Sequence, residues 1–262
     1  MFVQNETIDW GVRSLGAASR SRLKCGHLLV EFSRGNDEVC LASKTLSDEE
    51  AVTGLEADTP VSWTSWAVCT GARGVKVLPG LPDLPVLAPQ VPAFEVAPGA
   101  ETRVYLRIPV SVLVKLADRD EDLLAEFPSE LLPKVWFGEA DKALQCYRLN
   151  SSASREIIRD LDSAEIQAPV LIRNESRETL TVTQICLRVG LLGVYRSGSS
   201  LWASETLVCY QGGVSPSRIT AKSGPPAEAP EAKLMAAPRE TAPETLVGRT
   251  FRSFRRWTLG VF

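Results

Sequence analysis

Short runs of β-forming residues, each bounded by turn residues, recur along the first 215 residues, whereas helical periodicity is scarce there. The run 102–108 alternates strictly, with Val104, Leu106 and Ile108 on the face that we expect to be buried. Regular strand–turn spacing without β–helix–β alternation is typical of antiparallel sandwiches and barrels. The sequence therefore predicts an all-β domain over residues 1–215, built as an antiparallel two-sheet β-sandwich.

Three hairpins are predicted from pairs of β-rich runs that flank turn residues. Their turns are residues 34–37, 138–141 and 174–176. The proline-rich stretch 77–99 is predicted to be an extended connection on the surface or along a sheet edge, because proline lacks the amide donor of a central strand. The acidic run 118–126 predicts a loop or short helix, and 47–55 predicts a helix that opens with the capping box Ser47-x-x-Glu50.

Composition and charge exclude several classes of protein. Hydrophobic residues make up 44% of the chain and charged residues 23%, so wholesale disorder is excluded. The net charge of −3 argues against nucleic acid as a partner. No run approaches the ~20 apolar residues of a membrane span, and the N-terminus lacks the basic and apolar regions of a signal peptide. We therefore expect a cytoplasmic protein.

Residues for catalysis or metal binding are few. His27 is the one histidine of the chain, which excludes a His-rich metal site or a two-His zinc site. The six cysteines form no C-x-x-C motif and lie mostly in apolar strand runs, so we interpret them as small buried hydrophobic residues. Dinucleotide-binding, P-loop and nucleophile-elbow motifs are missing from the sequence. We expect a protein that is not an enzyme and that has no catalytic residue, no metal and no cofactor.

Two tryptophans suggest an alternative function. Trp63 and Trp66 lie three residues apart, so they point to opposite faces of a strand and share one face of a helix. Aromatic side chains bind sugars by stacking, so either residue could be the platform of a carbohydrate- or small-ligand-binding sandwich. The simpler interpretation is one core tryptophan and one that is partly exposed.

The composition changes near the C-terminus. Residues 216–245 are dominated by alanine, proline and glutamate, which predicts a flexible linker. Residues 246–262 reverse this composition, with aromatic residues, four arginines and no acid. On a helical projection the aromatic and basic residues separate into two faces, which predicts a short amphipathic helix.

Such a helix is marginal alone in water, so a surface must cover its aromatic face. The sequence leaves three alternatives for that surface: the protein's own core, a groove on a partner protein, and an anionic membrane. The residues predicted to dock there are Arg249, Phe251, Arg252, Phe254, Arg255, Arg256 and Trp257.

The order of several segments carries a family resemblance. The segments are residues 94–110, which end in Ile-Pro-Val, the run Lys-Val-Trp-Phe-Gly at 134–138, Cys-Tyr-Arg at 146–148, and the strands 169–176 and 179–195. In this order the chain resembles the archaeal and bacterial domain of unknown function four-three-two family over residues 94–210. The resemblance implies no assigned activity. Genes of that family often lie beside those of mechanosensitive channels, which implies a channel as partner.

Together these observations predict a non-enzymatic binding or regulatory module. The ligand is not identified by the sequence. The C-terminal helix would bring the module to a membrane channel, at the inner face of the membrane.

Overall fold

The computed structural model describes residues 8–16, 20–35, 37–47, 50, 63–68, 74–117, 119–138, 143–159, 161–212, 217–241 and 246–248. Within these ranges β-strands provide nearly all of the regular structure, which confirms the all-β prediction. A 3₁₀ turn at Val189–Leu191 is the one helical element whose bounds are described.

In chain order the strands are β1 (Gly11–Ser14), β2 (Arg20–Cys25), β3 (Leu28–Arg34), β4 (Glu38–Thr45), β5 (Trp63–Ala67), β6 (Gly74–Gly80), β7 (Val86–Val96), β8 (Glu101–Pro109), β9 (Ser111–Leu116), β10 (Arg119–Pro128), β11 (Lys134–Phe137), β12 (Leu144–Arg148), β13 (Glu165–Asn174), β14 (Leu180–Leu187), β15 (Val194–Ser197), β16 (Ser200–Ala203), β17 (Thr206–Tyr210), β18 (Ser217–Ala221), β19 (Lys233–Ala236) and β20 (Leu246–Gly248).

The described strands form four sheets, whereas two were predicted. Three sheets have four strands each, in the orders β1-β6-β9-β10, β2-β3-β4-β5 and β11-β12-β7-β14. The fourth has eight strands around β13. Strand β8 pairs antiparallel with β13 from Glu165 to Arg173, and the opposite side of β13 is shared by β16 and β17, both parallel to it.

One hydrophobic core joins the four sheets. Phe32 of β3, Val77 of β6, Ile185 of β14 and Ile166 of β13 are fully buried and belong to the same cluster of packed side chains. The alternation predicted for 102–108 is confirmed, since Val104, Leu106 and Ile108 are at most 1% exposed. Strand β8 ends at Pro109, and β9 begins at Ser111.

Two of the three predicted hairpins are confirmed and one is wrong. Strands β3 and β4 pair antiparallel, as do β11 and β12. Strands β13 and β14 belong to different sheets, because β13 pairs with β8, β16 and β17 while β14 pairs with β7. The turn between them is a corner held by buried Asn174, whose Nδ2 donates to the carbonyls of Val96 and Glu178 at 2.9 and 2.8 Å.

The predicted surface connection at 77–99 is also wrong, because β7 lies inside its sheet between β12 and β14. Strand β12 pairs with β7 only at Val86 and Leu87, so the prolines further along β7 meet no partner on that side. On the other side, the register with β14 shifts between Val182 and Gln184. Proline is tolerated at such irregularities, since no ladder hydrogen bond is lost there.

Two local predictions had different outcomes. The acidic run 118–126 was predicted to be a loop or helix, and most of it is strand β10, paired antiparallel with β9. The capping box is confirmed: the Ser47 amide donates to Glu50 Oε2 at 2.9 Å and the Glu50 amide donates to Ser47 Oγ at 3.3 Å. Residues 51–62, which would form the helix, lie outside the described residues.

The segment predicted to be a flexible linker is fixed to the body over residues 217–241. It contains β18, which pairs with β17, and β19, which pairs with β15. Between these strands, Ala229 and Ala232 pack against Tyr105, Tyr195 and Trp202 of the eight-stranded sheet. The composition of the segment did not reveal this, because the aromatic side chains that hold it lie elsewhere in the chain.

The predicted C-terminal helix is wrong at its start, where Leu246–Gly248 form β20 and pair with β18. The edge of β18 supplies the hydrogen bonds that a helix would have made within itself. Residues 249–262 lie outside the described residues.

Candidate functional site

The larger described cavity has a volume of about 360 Å³ and lies where β8 bends into β9. Pro109, Val110 and Ser111 of this bend form one wall. The end of β10, the segment that leads into β11, and Tyr147 of β12 complete it. The lining residues are Pro82, Asp83, Pro109, Val110, Ser111, Glu126, Pro128, Glu130, Leu131, Leu132, Lys134 and Tyr147. Its volume lies within the range of ~300–1,000 Å³ that is usual for ligand sites.

Three carboxylates line this cavity, and each accepts a hydrogen bond from a neighbour. The Tyr147 hydroxyl donates to Asp83 Oδ1 at 3.0 Å, and Asn150 Nδ2 donates to Glu130 Oε1 at 2.6 Å. Glu126 accepts from Nη2 of Arg239 at 2.5 Å. A carboxylate has two oxygens and about four acceptor positions, so each of the three keeps capacity for a further donor.

Burial and nearby carboxylates shift two pKa values upward around this cavity. Burial raises the pKa of Tyr147, and the Asp83 carboxylate raises it further. Burial also raises the pKa of Glu165, the strand partner of Pro109; the hydrogen bond from the Asp162 amide and the charge of Arg107 oppose this rise, and the carboxylates of Asp162 and Glu130 add to it. Carboxylates that raise the pKa of their neighbours produce a negative potential, which favours a cation.

The rest of the cavity wall is apolar. Pro82, Pro109, Pro128 and Leu132 contribute to it, and so does Leu131, which is 72% exposed. Among the described lining residues the one basic side chain is Lys134, whose Nζ lies 5.8 Å from the centre of the Tyr147 ring. The cavity therefore suits a ligand that joins a positive charge to an apolar body.

A second described cavity, of about 160 Å³, lies at the other end of β11. Trp136, which is 69% exposed, stands beside it. Arg148 and Gln184 supply polar groups to the wall, and Leu87 and Phe137 supply apolar ones. An exposed indole beside hydrogen-bonding side chains is suited to a small ring-shaped ligand.

The tryptophans singled out from the sequence lie elsewhere, on β5 at the edge of its sheet. Trp66 is partly buried and packs against the core, whereas the Arg20 guanidinium lies over the Trp63 ring, 5.5 Å from its centre. Because they are three residues apart on a strand, they do not share a face. Neither lines the two cavities.

The residues predicted to dock a partner or membrane, Arg249, Phe251, Arg252, Phe254, Arg255, Arg256 and Trp257, lie outside the described residues.

The cysteines are buried as expected: of the five that are described, Cys25, Cys146, Cys186 and Cys209 are buried and Cys40 is half-buried. The Sγ atoms of Cys146 and Cys186 lie 3.7 Å apart, next to Leu87 and Phe137. In the described part of the chain no three potential ligands from histidine, cysteine, aspartate and glutamate are grouped as a metal site. There, too, no helix is long and apolar enough to cross a membrane.

Sequence reasoning missed the acidic cavity entirely. Asp83, Tyr147 and the close pair Glu126 and Glu130 come from three separate segments, and each has an ordinary sequence neighbourhood. The pairing of β12 with β7 brings Tyr147 beside the segment that carries Asp83, and residues 129–133 connect β10 to β11, which pairs with β12. No spacing within the sequence signals such a group.

Comparison with known proteins gives one match. A family model described as "Protein of unknown function (DUF432)" matches residues 10–255. No curated protein and no solved structure matches the chain significantly.

Proposed function

The chain belongs to the DUF432 family of proteins of unknown function, and we propose that it is a non-enzymatic binding module. The observation that carries this proposal is the cavity of about 360 Å³ with Asp83, Glu126 and Glu130 in an otherwise apolar wall. Its ligand is a basic segment of a protein, with arginine or lysine side chains next to apolar ones. Carboxylates pair with guanidinium groups, while proline and leucine cover apolar side chains.

The side chains of the cavity support binding rather than catalysis. Its described hydroxyl groups belong to Ser111 and Tyr147. The raised pKa of Tyr147 keeps that hydroxyl protonated at neutral pH, so it is a poor general base. Each of the three carboxylates already accepts a hydrogen bond from a fixed neighbour, which suits a rigid recognition surface.

The test is fluorescence anisotropy with a labelled peptide of alternating arginine and phenylalanine. We expect saturable binding to the full chain, and about tenfold weaker binding to the double variant Asp83→Asn and Glu130→Gln, because two lost ion pairs at ~0.7 kcal/mol each give the ~1.4 kcal/mol of a tenfold change. The matched control is Glu95→Gln with Glu178→Gln, which removes the same charge from exposed positions away from the cavity. Equal binding by a peptide with glutamate in place of arginine would disprove the proposal.

A second candidate function is binding of a carbohydrate or other small ligand at Trp136. The exposed indole, with Arg148 and Gln184 beside it, favours this site over Trp63, which is covered by Arg20, and Trp66, which packs on the core. A thermal-shift screen against sugars tests it, since a ligand that binds the folded state raises Tm. A shift that survives Trp136→Ala would place the ligand elsewhere.

We propose further that the basic C-terminal segment brings the module to the inner face of a membrane, next to a channel protein. The support is the sequence of residues 249–262, which has four arginines, four aromatic residues and no acid. Near an anionic surface each arginine contributes about 1 kcal/mol. Flotation with vesicles containing phosphatidylserine should recover the full chain and lose a variant truncated after Gly248. Equal recovery of both would refute the membrane role.

A further inference from the structure

We propose that the acidic cavity binds the basic C-terminal segment, residues 249–262, of a second copy of this chain. The inference rests on the proposed function, because it names the ligand of the same cavity. The chain itself thus carries both parts of the recognition: an acidic, apolar-walled cavity and a basic, aromatic segment.

The two parts are complementary in charge and in apolar character. Residues 249–262 contain four arginines, four aromatic residues and no acid. The cavity presents Asp83, Glu126 and Glu130 against the single ammonium of Lys134 among its described lining residues. Arginine pairs with carboxylates through two parallel hydrogen bonds, and aromatic rings pack well on proline and leucine.

One carboxylate of the cavity, Glu126, is already paired with a guanidinium from outside the lining. Arg239 donates from Nη2 to Glu126 at 2.5 Å and to the Leu81 carbonyl at 2.6 Å. The other two carboxylates, Asp83 and Glu130, accept from neutral donors, the Tyr147 hydroxyl and the Asn150 amide. They are therefore the pair that an incoming arginine would neutralise.

The reach of the chain favours a second copy over the same molecule. Gly248 pairs with Ser217, and the same line of paired residues across the sheet continues to Asn174, at one end of β13. Pro109, which lines the cavity, pairs with Glu165 at the opposite end of β13. Nine residues along a strand span about 30 Å, and the three strand spacings from β20 to β13 add about 14 Å sideways, so the separation is about 33 Å.

All four arginines lie within the first eight residues after Gly248. Eight fully extended residues reach at most about 27 Å, and eight helical residues about 12 Å. Even with the length of the side chain added, only Arg256 would reach the cavity of its own molecule, and only on a fully extended chain, so one molecule cannot place several of its own arginines there. A second molecule has no such restriction, because it can place its segment directly at the cavity mouth.

The resulting contact is heterologous, since it joins a tail on one molecule to a cavity on the next. An open assembly has an unoccupied cavity at one end and an unbound tail at the other, so further molecules add until a ring closes. A cavity that is occupied by a tail cannot bind other basic partners, and a tail that is bound in a cavity cannot bind a membrane.

The experiment is sedimentation velocity of the full chain over a concentration range of about 1 to 200 µM. We expect the average mass to rise with concentration, and to fall towards the monomer at about 0.5 M NaCl, where screening shortens charge interactions to a few Å. Two variants should stay monomeric: the cavity variant Asp83→Asn with Glu130→Gln, and the tail variant Arg252→Gln with Arg255→Gln. The control Glu95→Gln with Glu178→Gln should behave as the unmodified chain.

An equimolar mixture of the two monomeric variants gives the sharpest outcome. Only the tail of the cavity variant and the cavity of the tail variant are intact, so the mixture should form heterodimers and nothing larger. Monomers in the mixture, or association of the tail variant alone, would overturn the proposal. Protection of the tail arginines from trypsin in a dilute monomer would also overturn it, because the tail would then bind within its own molecule.

The failure of this inference is distinguishable from failure of the proposed function. A monomeric chain that still binds the arginine–phenylalanine peptide in its cavity refutes self-association and leaves the binding module intact. A chain that neither associates nor binds the peptide refutes both.

Discussion

Arg103 is the residue on which a buried network of charges depends. Its guanidinium contacts Glu205 at 2.5 Å and Glu228 at 2.7 Å, and these carboxylates are 3% and 7% exposed. Lys222 also pairs with Glu205, and the Tyr105 hydroxyl donates to Glu228 at 2.9 Å. Because Glu228 belongs to the segment between β18 and β19, the network ties that segment to β8.

Removing Arg103 should be strongly destabilising. Arg103→Leu leaves Glu228 buried with only a neutral donor, and an uncompensated buried charge costs about 3–5 kcal/mol. Arg173→Leu is the matched control, because its pair with Glu101 is about half exposed and such pairs are worth ~0–1 kcal/mol. Urea denaturation measures both, and similar losses in the two variants would contradict the assignment.

Glu165 should make the protein less stable as pH rises. Burial raises its pKa in the folded state, so folding favours the protonated form. The stability that this group contributes is present below its unfolded pKa and is lost as pH rises through its folded pKa. Glu165→Gln keeps an acceptor for the Asp162 amide, which donates to Glu165 Oε2 at 3.3 Å.

We therefore expect Glu165→Gln to have a higher Tm than the unmodified chain at pH 7 and the same Tm near pH 4, where the carboxyl is protonated. Thermal melts at the two pH values test this. A variant that is less stable at pH 7 would show that the charged form is favoured in the folded protein.

Among the elements, the segment between β18 and β19 differs most from its prediction as a flexible linker. It has no helix and no long strand, yet its amides are bonded in successive turns, with Ala229 donating to the Pro226 carbonyl and Ala232 to the Ala229 carbonyl, both at 3.0 Å. Small side chains allow the backbone to approach the rings of Tyr105, Tyr195 and Trp202. Alanine is therefore a packing residue here and not a spacer.

Ala229→Asp should detach this segment, because it would bury a carboxylate among aromatic rings, at a cost of about 1–3 kcal/mol or more. Hydrogen exchange should then show faster exchange over residues 222–236. The control is Ala227→Asp, the same change at an exposed position two residues away. Fast exchange of this segment in the unmodified chain would instead support the flexible linker.

At the scale of the whole molecule, the continuity of the core decides how the chain unfolds. The sheet of β2–β5 contributes Leu23, Phe32 and Leu41 to the same cluster as Ile166 of β13. Residues near the N-terminus therefore have no separate core among the described residues, and the four sheets should unfold together.

Calorimetry should show one transition. Phe32→Ala empties a fully buried position, which costs about 3–5 kcal/mol, and should lower that single transition as a whole. Val12→Ala, at a side chain that is 64% exposed, is the control and should leave Tm nearly unchanged. Two separate transitions, with only the first moved by Phe32→Ala, would show that the N-terminal sheet is an independent unit.

The sequence by itself determined the all-β class, and it determined strand positions and buried faces where the local pattern was strong. The alternation of Val104, Leu106 and Ile108, the hairpin between β3 and β4, and the Ser47–Glu50 capping box were all predicted, because period-2 alternation, turn chemistry and capping act between residues that are close in sequence. The same local rules also predicted a hairpin at Asn174 that does not form.

Only the tertiary structure decided which strands pair, where β7 lies, and what residues 222–241 contact. These features depend on residues far apart in the chain: Asn174 with Val96, Ala229 with Trp202, and Arg103 with Glu228. The cavity has the same origin, because Asp83, Glu130 and Tyr147 become neighbours only when their strands are in place. Packing and charge in three dimensions determine which distant residues are in contact, and no single stretch of sequence contains that information.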